Sequence, residues 1–213
     1  MIELPTTNEP SGRADLPQDV TGIVLAGGQS TRLGQDKALL KIQGRTLVER
    51  VIDRLRSVVV RIVLVTNSPD RFAFLALPTA RDRIPGVGTL GGLHAGLGAI
   101  DTEYGLVVGC DMPFLSVALL RHIISLRGSH DVVMPCLGKH HEPLHALYAR
   151  RCLPSFQRSI LLGERRIMQA CAGMLIQYVE EEQITRLDPE CLSFFNVNTP
   201  EDFQRANQVL ART

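Results

Sequence analysis

A glycine-rich loop with two cations follows an apolar run near the start of the chain. Residues 23–37 read Ile-Val-Leu-Ala-Gly-Gly-Gln-Ser-Thr-Arg-Leu-Gly-Gln-Asp-Lys. The apolar beginning is typical of a buried strand in a parallel sheet. Glycines let backbone N–H groups approach an anion closely and adopt the positive φ that a concave loop needs. Arg32 and Lys37 add positive charge, so the sequence predicts a polyphosphate site.

Two better-known motifs of similar composition do not fit this loop. A P-loop requires Gly-x4-Gly-Lys-Ser/Thr, and no such run follows Gly28. A nucleophile elbow requires Gly-x-Ser-x-Gly, but Arg32 stands two positions after Ser30. The loop therefore indicates a different kind of phosphate site.

An aspartate after a later strand is the candidate metal ligand. Residues 105–110 are apolar and predict a buried strand, which Asp111-Met112-Pro113 terminates. A carboxylate at the carboxyl end of a parallel strand lies in the crevice where open α/β sheets bind ligands. We therefore expect Asp111 to face the glycine loop.

A second glycine-rich segment matches a dinucleotide-binding pattern in letters only. Residues 86–91 read Gly-Val-Gly-Thr-Leu-Gly. No strong strand precedes them, and no acidic residue ends a following strand at the right distance, so a dinucleotide fingerprint is not favoured. A pocket lining and a close-packed helix start are the two remaining interpretations.

Alternating strands and helices must position these residues. Apolar residues at helical spacing predict a helix over 46–55, β-branched residues predict a strand over 61–66, and a helix is expected from Pro69 through Leu77. Beyond the Asp111 strand, we expect strands at 131–135, 144–148 and 175–180, and helices at 116–126, 152–162 and 166–172, the first of them capped by Ser116. We also expect an acidic turn at 180–182, and a strand near Phe194 before a last helix capped by Thr199. This order predicts right-handed crossovers and a mostly parallel sheet.

Length and charge limit the classes of function. The 213 residues suit one α/β domain, and the net charge of +1 gives no field that favours nucleic acid. No apolar run has membrane-spanning length. Residues 1–19 lack the apolar core of a signal peptide and predict a disordered leader, which leaves 20–213 as the single domain. Five scattered cysteines indicate reduced thiols and a cytoplasmic location.

The stretch from Cys136 to His145 contains one cysteine, three histidines and Glu142. Because cysteine and histidine are common zinc ligands, a zinc site is one interpretation. Their spacing matches no common structural zinc pattern. We expect no metal there and assign these residues to the substrate pocket or the surface.

The motif from Leu25 to Lys37 resembles, without a gap, the signature of the molybdenum cofactor guanylyltransferases, the MobA family of the nucleotidyltransferase fold. Residues 88–93 resemble its second glycine segment, Cys110–Pro113 its metal-binding aspartate, and residues 195–203 its C-terminal signature. The resemblance implies a three-layer, Rossmann-like α/β/α sandwich with a mostly parallel sheet, similar to nucleotide-diphospho-sugar transferases. Its N-terminal half would bind GTP and its C-terminal half molybdopterin.

In the implied reaction, the GMP part of GTP joins the terminal phosphate of molybdopterin and pyrophosphate leaves. The implied nucleotide-binding residues are Leu25, Ala26, Gly27, Gly28, Lys37, Asn67, Asp82, Gly91 and Asp111. The implied catalytic residues are Arg32, Lys37 and Asp111, with Mg²⁺ on Asp111. Arg166, Asn196 and Asn198 would lie on the pterin side, or the two asparagines would fix the last turn. Molybdenum-insertion proteins and molybdoenzyme chaperones are the implied partners.

Three other functions remain open. The cytidylyltransferase of the same cofactor shares the fold, and in the family Gly rather than Ala at position 27 favours the guanylyl enzyme. Sugar-phosphate nucleotidyltransferases usually carry longer C-terminal extensions. A non-catalytic carrier of molybdopterin or nucleotide belongs to another class, and Lys37 and Asp111 argue against it.

Overall fold

The computed structural model describes residues 16–27, 36–82, 84 and 86–212, and its centre is one mixed sheet. The described strands are β1 Val20–Leu25, β2 Lys41–Ile42, β3 Arg45–Thr46, β4 Arg61–Val65, β5 Thr79–Ala80, β6 Tyr104–Gly109, β7 Val132–Leu137, β8 His140–His141, β9 His145–Ala149 and β10 Ile176–Glu180. The main sheet has the order β10-β7-β9-β6-β1-β4-β5, with β8 beside β7. Strands β2 and β3 form a separate hairpin.

Strand β1 lies inside the sheet and pairs in parallel with both β4 and β6. All of its residues are buried, as expected for an apolar strand that is covered on both faces. Strand β9 runs antiparallel to β6 and β7. The other strands of the main sheet, apart from β8, share one direction, so their carboxyl ends meet at one edge.

Helices cover both faces of the sheet. They are α1 Leu47–Arg56, α2 Thr89–Gly98, α3 Val117–Ser125, α4 Leu153–Leu161, α5 Ile167–Ala170, α6 Glu181–Leu187 and α7 Pro200–Leu210. Gly22 of β1 faces Leu55 of α1, whereas Ile23 packs against Gly96 of α2. Because successive strand residues point to opposite faces, α1 and α2 lie on opposite sides. The expected three-layer α/β/α fold is confirmed.

Side-chain caps fix where several helices begin. The Ser116 hydroxyl accepts the N–H of Leu119 at the start of α3. Thr199 accepts the N–H of Asp202, and Pro200 occupies the first position of α7. Both predicted caps are confirmed. Such caps satisfy backbone donors that have no partner within the helix.

Two local predictions are wrong, and a third is corrected in type and length. The helix expected from Pro69 through Leu77 is a 3-10 helix over Pro69–Leu75, and Ala76 ends it in the left-handed region at a φ of 49°. The acidic stretch at 180–182 is the start of α6, because Glu180 and Gln183 cap it reciprocally. In place of a strand near Phe194, the chain forms a 3-10 helix over Leu192–Phe194.

The end of the predicted leader nearest β1 is bonded to the domain. Residues 1–15 lie outside the described residues. Arg127 Nε lies 2.8 Å from Asp19 Oδ2, and an Arg61 Nη2 donor reaches the carbonyl oxygen of Gln18 at 2.6 Å. Among the described helices, none is long and apolar enough to cross a membrane.

His145 begins β9 and is fully buried, and neither of its ring nitrogens has a hydrogen-bond partner. Its ring lies 5.0 Å from that of Phe194. Burial lowers the pKa of His145 to about 3, because a charged imidazolium would lose its hydration. In the part of the chain that is described, no group of three or more His, Cys, Asp or Glu side chains could hold a metal, so a zinc site gains no support from this segment.

The neutral His145 makes stability depend on pH. The unfolded chain binds a proton on this residue below its ordinary pKa of about 6.5, whereas the folded chain does not until pH approaches 3. The free energy of unfolding should therefore fall with decreasing pH from about 6.5, by up to about 1.4 kcal/mol per pH unit. In His145→Leu this decline should be shallower, measured by urea unfolding from pH 7.5 to 4.5. His140→Leu, at an exposed histidine, is the control, and equal slopes for wild type and His145→Leu would contradict the prediction.

Candidate functional site

The carboxyl ends of β1 and β4 and the start of α2 enclose a pocket of 340 Å³. Its lining consists of Leu25, Gly27, Val65, Thr66, Asn67, Asp82, Gly88, Thr89 and Gly92. Most of this lining is apolar, with a carboxylate, an amide and two hydroxyl groups as polar exceptions, a composition common in ligand pockets. Four predicted nucleotide-binding residues therefore come together here: Leu25, Gly27, Asn67 and Asp82.

A second pocket of 240 Å³ adjoins the first at the ends of β1 and β6. It is lined by Leu25, Ala26, Gly27, Asp36, Lys37, Ala38, Thr89, Gly109, Cys110, Asp111 and Leu144. The two pockets share Leu25, Gly27 and Thr89, so one ligand could extend from the first into the second. The second pocket carries the charged groups Lys37 and Asp111 that the sequence predicts for phosphate and metal.

Asp82 is held at the rim of the first pocket. Its Oδ1 accepts the N–H of Ile84 at 3.0 Å. Its carboxylate lies so close to Gly91 that a Cβ there would come within 2.6 Å of Oδ2. Gly91 thus contributes by leaving space for Asp82 and is not itself among the pocket-lining residues described.

Lys37 begins a short 3-10 helix, Lys37–Leu39, directly after the glycine loop. Asp36 caps this turn by accepting the N–H of Ala38, and its other oxygen lies 3.1 Å from Arg71 Nη1. Lys37 Nζ donates to Asn198 Oδ1 and lies 3.6 Å from Asp111 Oδ2. The turn therefore directs the ammonium group towards the carboxylate at the end of β6.

Asp111 is the second residue after β6 and is anchored through its backbone. Its carbonyl oxygen accepts the N–H of Val197 at 3.0 Å. A single carboxylate beside Lys37 suits Mg²⁺, which commonly binds one or two carboxylates and completes its shell with substrate phosphates and water. The donor set of the second pocket fits a hard divalent cation bound together with a polyphosphate.

The remaining predicted site residues have different positions. Arg166 is exposed, with its Nε 3.4 Å from Glu164 Oε1, and the Asn196 amide donates to the carbonyl of Phe194. Neither is among the described residues that line the two pockets. Gly28 and Arg32 lie outside the described residues.

Gly27 has an exposed backbone at the junction of the pockets. Its φ lies outside the left-handed region, and a Cβ built on it would meet no atom of the described residues within 4 Å. Backbone conformation therefore does not require glycine at this position. A methyl group there would extend into the space where the two pockets join.

Sequence reasoning missed several pocket residues. Thr89 lines both pockets, and its place beside Gly88 in the glycine segment was a usable signal. Leu144 lies on the loop before β9 and lines the second pocket because β9 runs antiparallel to β6. Cys110 also lines the second pocket, and burial together with the neighbouring Asp111 raises the pKa of its thiol, which disfavours a thiolate nucleophile.

Comparison with known proteins agrees with this geometry. The family model described as a MobA-like NTP transferase domain matches residues 22–179. The molybdenum cofactor guanylyltransferase of Desulfosudis oleivorans is 37% identical over 90% of this chain and 96% of its own. The probable molybdenum cofactor guanylyltransferase of Natranaerobius thermophilus is 31% identical over 93% of this chain and 100% of its own.

A solved structure supports the same assignment. Molybdopterin-guanine dinucleotide biosynthesis protein A from Archaeoglobus fulgidus matches with a TM-score of 0.79 and 29% identity, over 91% of this chain and 100% of its own. The sheet order, the paired pockets and these similarities agree with one another. The chain belongs to the MobA-like NTP transferase family, whose members are nucleotidyltransferases.

Proposed function

We propose that this protein transfers the GMP part of GTP to the terminal phosphate of molybdopterin, releasing pyrophosphate and forming molybdopterin guanine dinucleotide. The observation that carries the proposal is the convergence of Lys37 and Asp111 in a pocket that adjoins a largely apolar one. Curated relatives named as guanylyltransferases add support.

The apolar pocket would hold the guanosine and the charged pocket the phosphates. Guanine presents hydrogen-bond donors that a carboxylate accepts well, and Asp82 is the carboxylate at the rim of the first pocket. Asn67 lies on the same rim and can both donate and accept. Gly27, which lines both pockets, would lie against the guanine, and the α-phosphate would lie beyond it, near Thr89.

The acceptor needs little activation. A phosphate monoester has a second pKa of about 6 and is largely dianionic at neutral pH, so it can attack without a general base. Accordingly, no histidine is found among the described residues that line the two pockets. The barrier lies in bringing two anions together, and positioning and charge neutralisation must lower it.

Lys37 and Asp111 would divide this task. Lys37 would donate to the phosphates and offset the charge that develops on the leaving pyrophosphate. Asp111 would hold Mg²⁺, which supplies charge neutralisation to the phosphate oxygens when bound. Arg32 would add a second cation from the glycine loop.

The acceptor side of the site is assigned to the C-terminal half of the chain. We assign Arg166 and Asn196 to the pterin side, because both belong to the half of the chain beyond β9. Molybdenum-insertion proteins and molybdoenzyme chaperones are the proposed protein partners. The cytoplasm is the proposed location, since the five cysteines carry no disulfide in the structure.

Pyrophosphate release from each of the four nucleoside triphosphates, with Mg²⁺ and molybdopterin, tests the proposal directly. Release from GTP that depends on molybdopterin would support it. A preference for CTP would indicate the cytidylyltransferase instead. Binding of GTP without any pyrophosphate release would indicate a non-catalytic carrier.

Replacement of Asp111 by Asn should abolish Mg²⁺-dependent turnover without unfolding the protein. The variant keeps the size of the side chain but loses the charge that holds the cation, so kcat should fall about a hundredfold or more. Pyrophosphate release and thermal unfolding are the two measurements. Asp101→Asn, at an exposed aspartate on the opposite edge of the sheet, is the matched control, and near-normal turnover of Asp111→Asn would contradict the metal assignment.

Removal of the Lys37 ammonium should weaken GTP binding and slow transfer, whereas removal of the nearby Lys41 ammonium should do little. Lys37 lines the second pocket, and Lys41 lies exposed on β2. We expect Lys37→Ala to lower kcat/KM for GTP by about tenfold or more, with Lys41→Ala within about twofold of wild type. Equal losses in the two variants would mean that general positive charge matters, rather than a placed contact.

A methyl group at Gly27 should harm GTP more than CTP. Because Gly27 does not have a positive φ, Gly27→Ala adds bulk at the pocket junction without backbone strain. A two-ring base needs this space more than a one-ring base does, and a displaced guanine would leave polar groups unpaired at about 1–3 kcal/mol each. We expect kcat/KM for GTP to fall roughly tenfold or more. Measurements with both nucleotides decide the point, and equal losses would refute a role in base selection.

A further inference from the structure

The turn that precedes α7 contacts the second pocket, although the two contacting residues are 161 positions apart in sequence. Lys37 Nζ donates to the side-chain oxygen of Asn198. One residue earlier, the N–H of Val197 donates to the carbonyl oxygen of Asp111 at 3.0 Å. Two adjacent residues thus bond to the two residues to which we assign phosphate and metal binding, one to the Lys37 side chain and one to the Asp111 backbone.

This turn is itself firmly held. Val197 is fully buried with Ile42, Leu47 and Ala206, in a cluster separate from the main core. Asp202 Oδ2 accepts the N–H of Asn198 at 3.0 Å and the N–H of Thr199 at 2.9 Å. Two successive backbone N–H groups are therefore bonded to one carboxylate, which fixes the backbone from which the Asn198 side chain extends.

The chemistry of the contact differs from that of an ion pair. A lysine ammonium is a compact charge on a long flexible stem and has three donors. Asp111 attracts it, with 3.6 Å between Lys37 Nζ and Asp111 Oδ2, and would also neutralise it. The Asn198 amide oxygen has no net charge, so it can hold the ammonium without cancelling the charge that a phosphate needs.

We propose that Asn198 is a positioning residue for Lys37, rather than a contact to the pterin. It fixes the ammonium group in the second pocket, while the neighbouring Val197 holds the backbone of Asp111. The last helix, α7, thereby supports the nucleotide side of the site through its N-terminal turn. The contact itself stands on the geometry alone, and only its kinetic consequence rests on the proposed function.

The contact can be tested without nucleotide, because the chain has three lysines, Lys37, Lys41 and Lys139. Lys41 and Lys139 are exposed, whereas Lys37 is partly buried. In a protein labelled with ¹⁵N at lysine Nζ, the bonded Lys37 ammonium should exchange its protons more slowly than the other two and have a distinct signal. Lysine-to-arginine variants assign the three signals.

Replacement of Asn198 by Ala should bring the Lys37 signal into the fast exchange of the exposed lysines. Asn198→Asp, which retains an acceptor oxygen, should restore slow exchange. Asn207→Ala is the matched control, since its amide bonds to the Phe203 carbonyl within α7, and it should leave the Lys37 signal unchanged. An unchanged Lys37 signal in Asn198→Ala would overturn the proposal.

Kinetics separate positioning from pterin binding. If Asn198 positions Lys37, Asn198→Ala should lower kcat by about tenfold or more, with the KM for molybdopterin within about twofold of wild type. A raised KM for molybdopterin with normal kcat would instead identify a pterin contact and refute positioning. If wild-type protein shows no transfer at all, the proposed function fails, and the lysine spectra still decide the role of Asn198.

Discussion

The parallel pairing of β1 with β4 and β6 is the constraint on which the site depends. Parallel strands end at the same edge, so the residues that follow them meet although they are far apart in sequence. Close packing makes this arrangement possible. The Ile23 side chain fills space that a Cβ on Gly96 or Gly105 would invade at 2.5 Å. Alanine at either glycine would push a helix or a neighbouring strand away from β1 and move one wall of the pockets.

Much of the fold could be predicted from local pattern, because strands and helices here bury continuous or periodic apolar faces. The caps at Ser116 and Thr199 were readable because a cap is decided within four residues. The sequence also contains the capping pair of α6, Glu180 and Gln183, but the run of acidic residues there led to the prediction of a turn. Pro69–Leu75 shows the limit: a proline start is compatible with an α-helix and a 3-10 helix alike.

The candidate site was predictable where it lies on the glycine loop or directly after a strand. Lys37, Asp82 and Asp111 all line the pockets, because strand ends and their loops determine this edge. The contact between Lys37 and Asn198 could not be derived in this way. It depends on where α7 packs against the hairpin of β2 and β3, and no local pattern specifies such a long-range arrangement.

The charge balance of the described lining residues favours a cation bound together with a polyphosphate. Among the described lining residues, three carboxylates, Asp36, Asp82 and Asp111, stand against the single ammonium of Lys37. Arg71 offsets Asp36, which leaves a formal excess of one negative charge. The described lining alone would repel a triphosphate, and Arg32, which we assign to the same site, would bring the balance only to zero. A divalent cation bound with the nucleotide would make the balance positive, and Asp111 would then attract the nucleotide through that cation instead of repelling it.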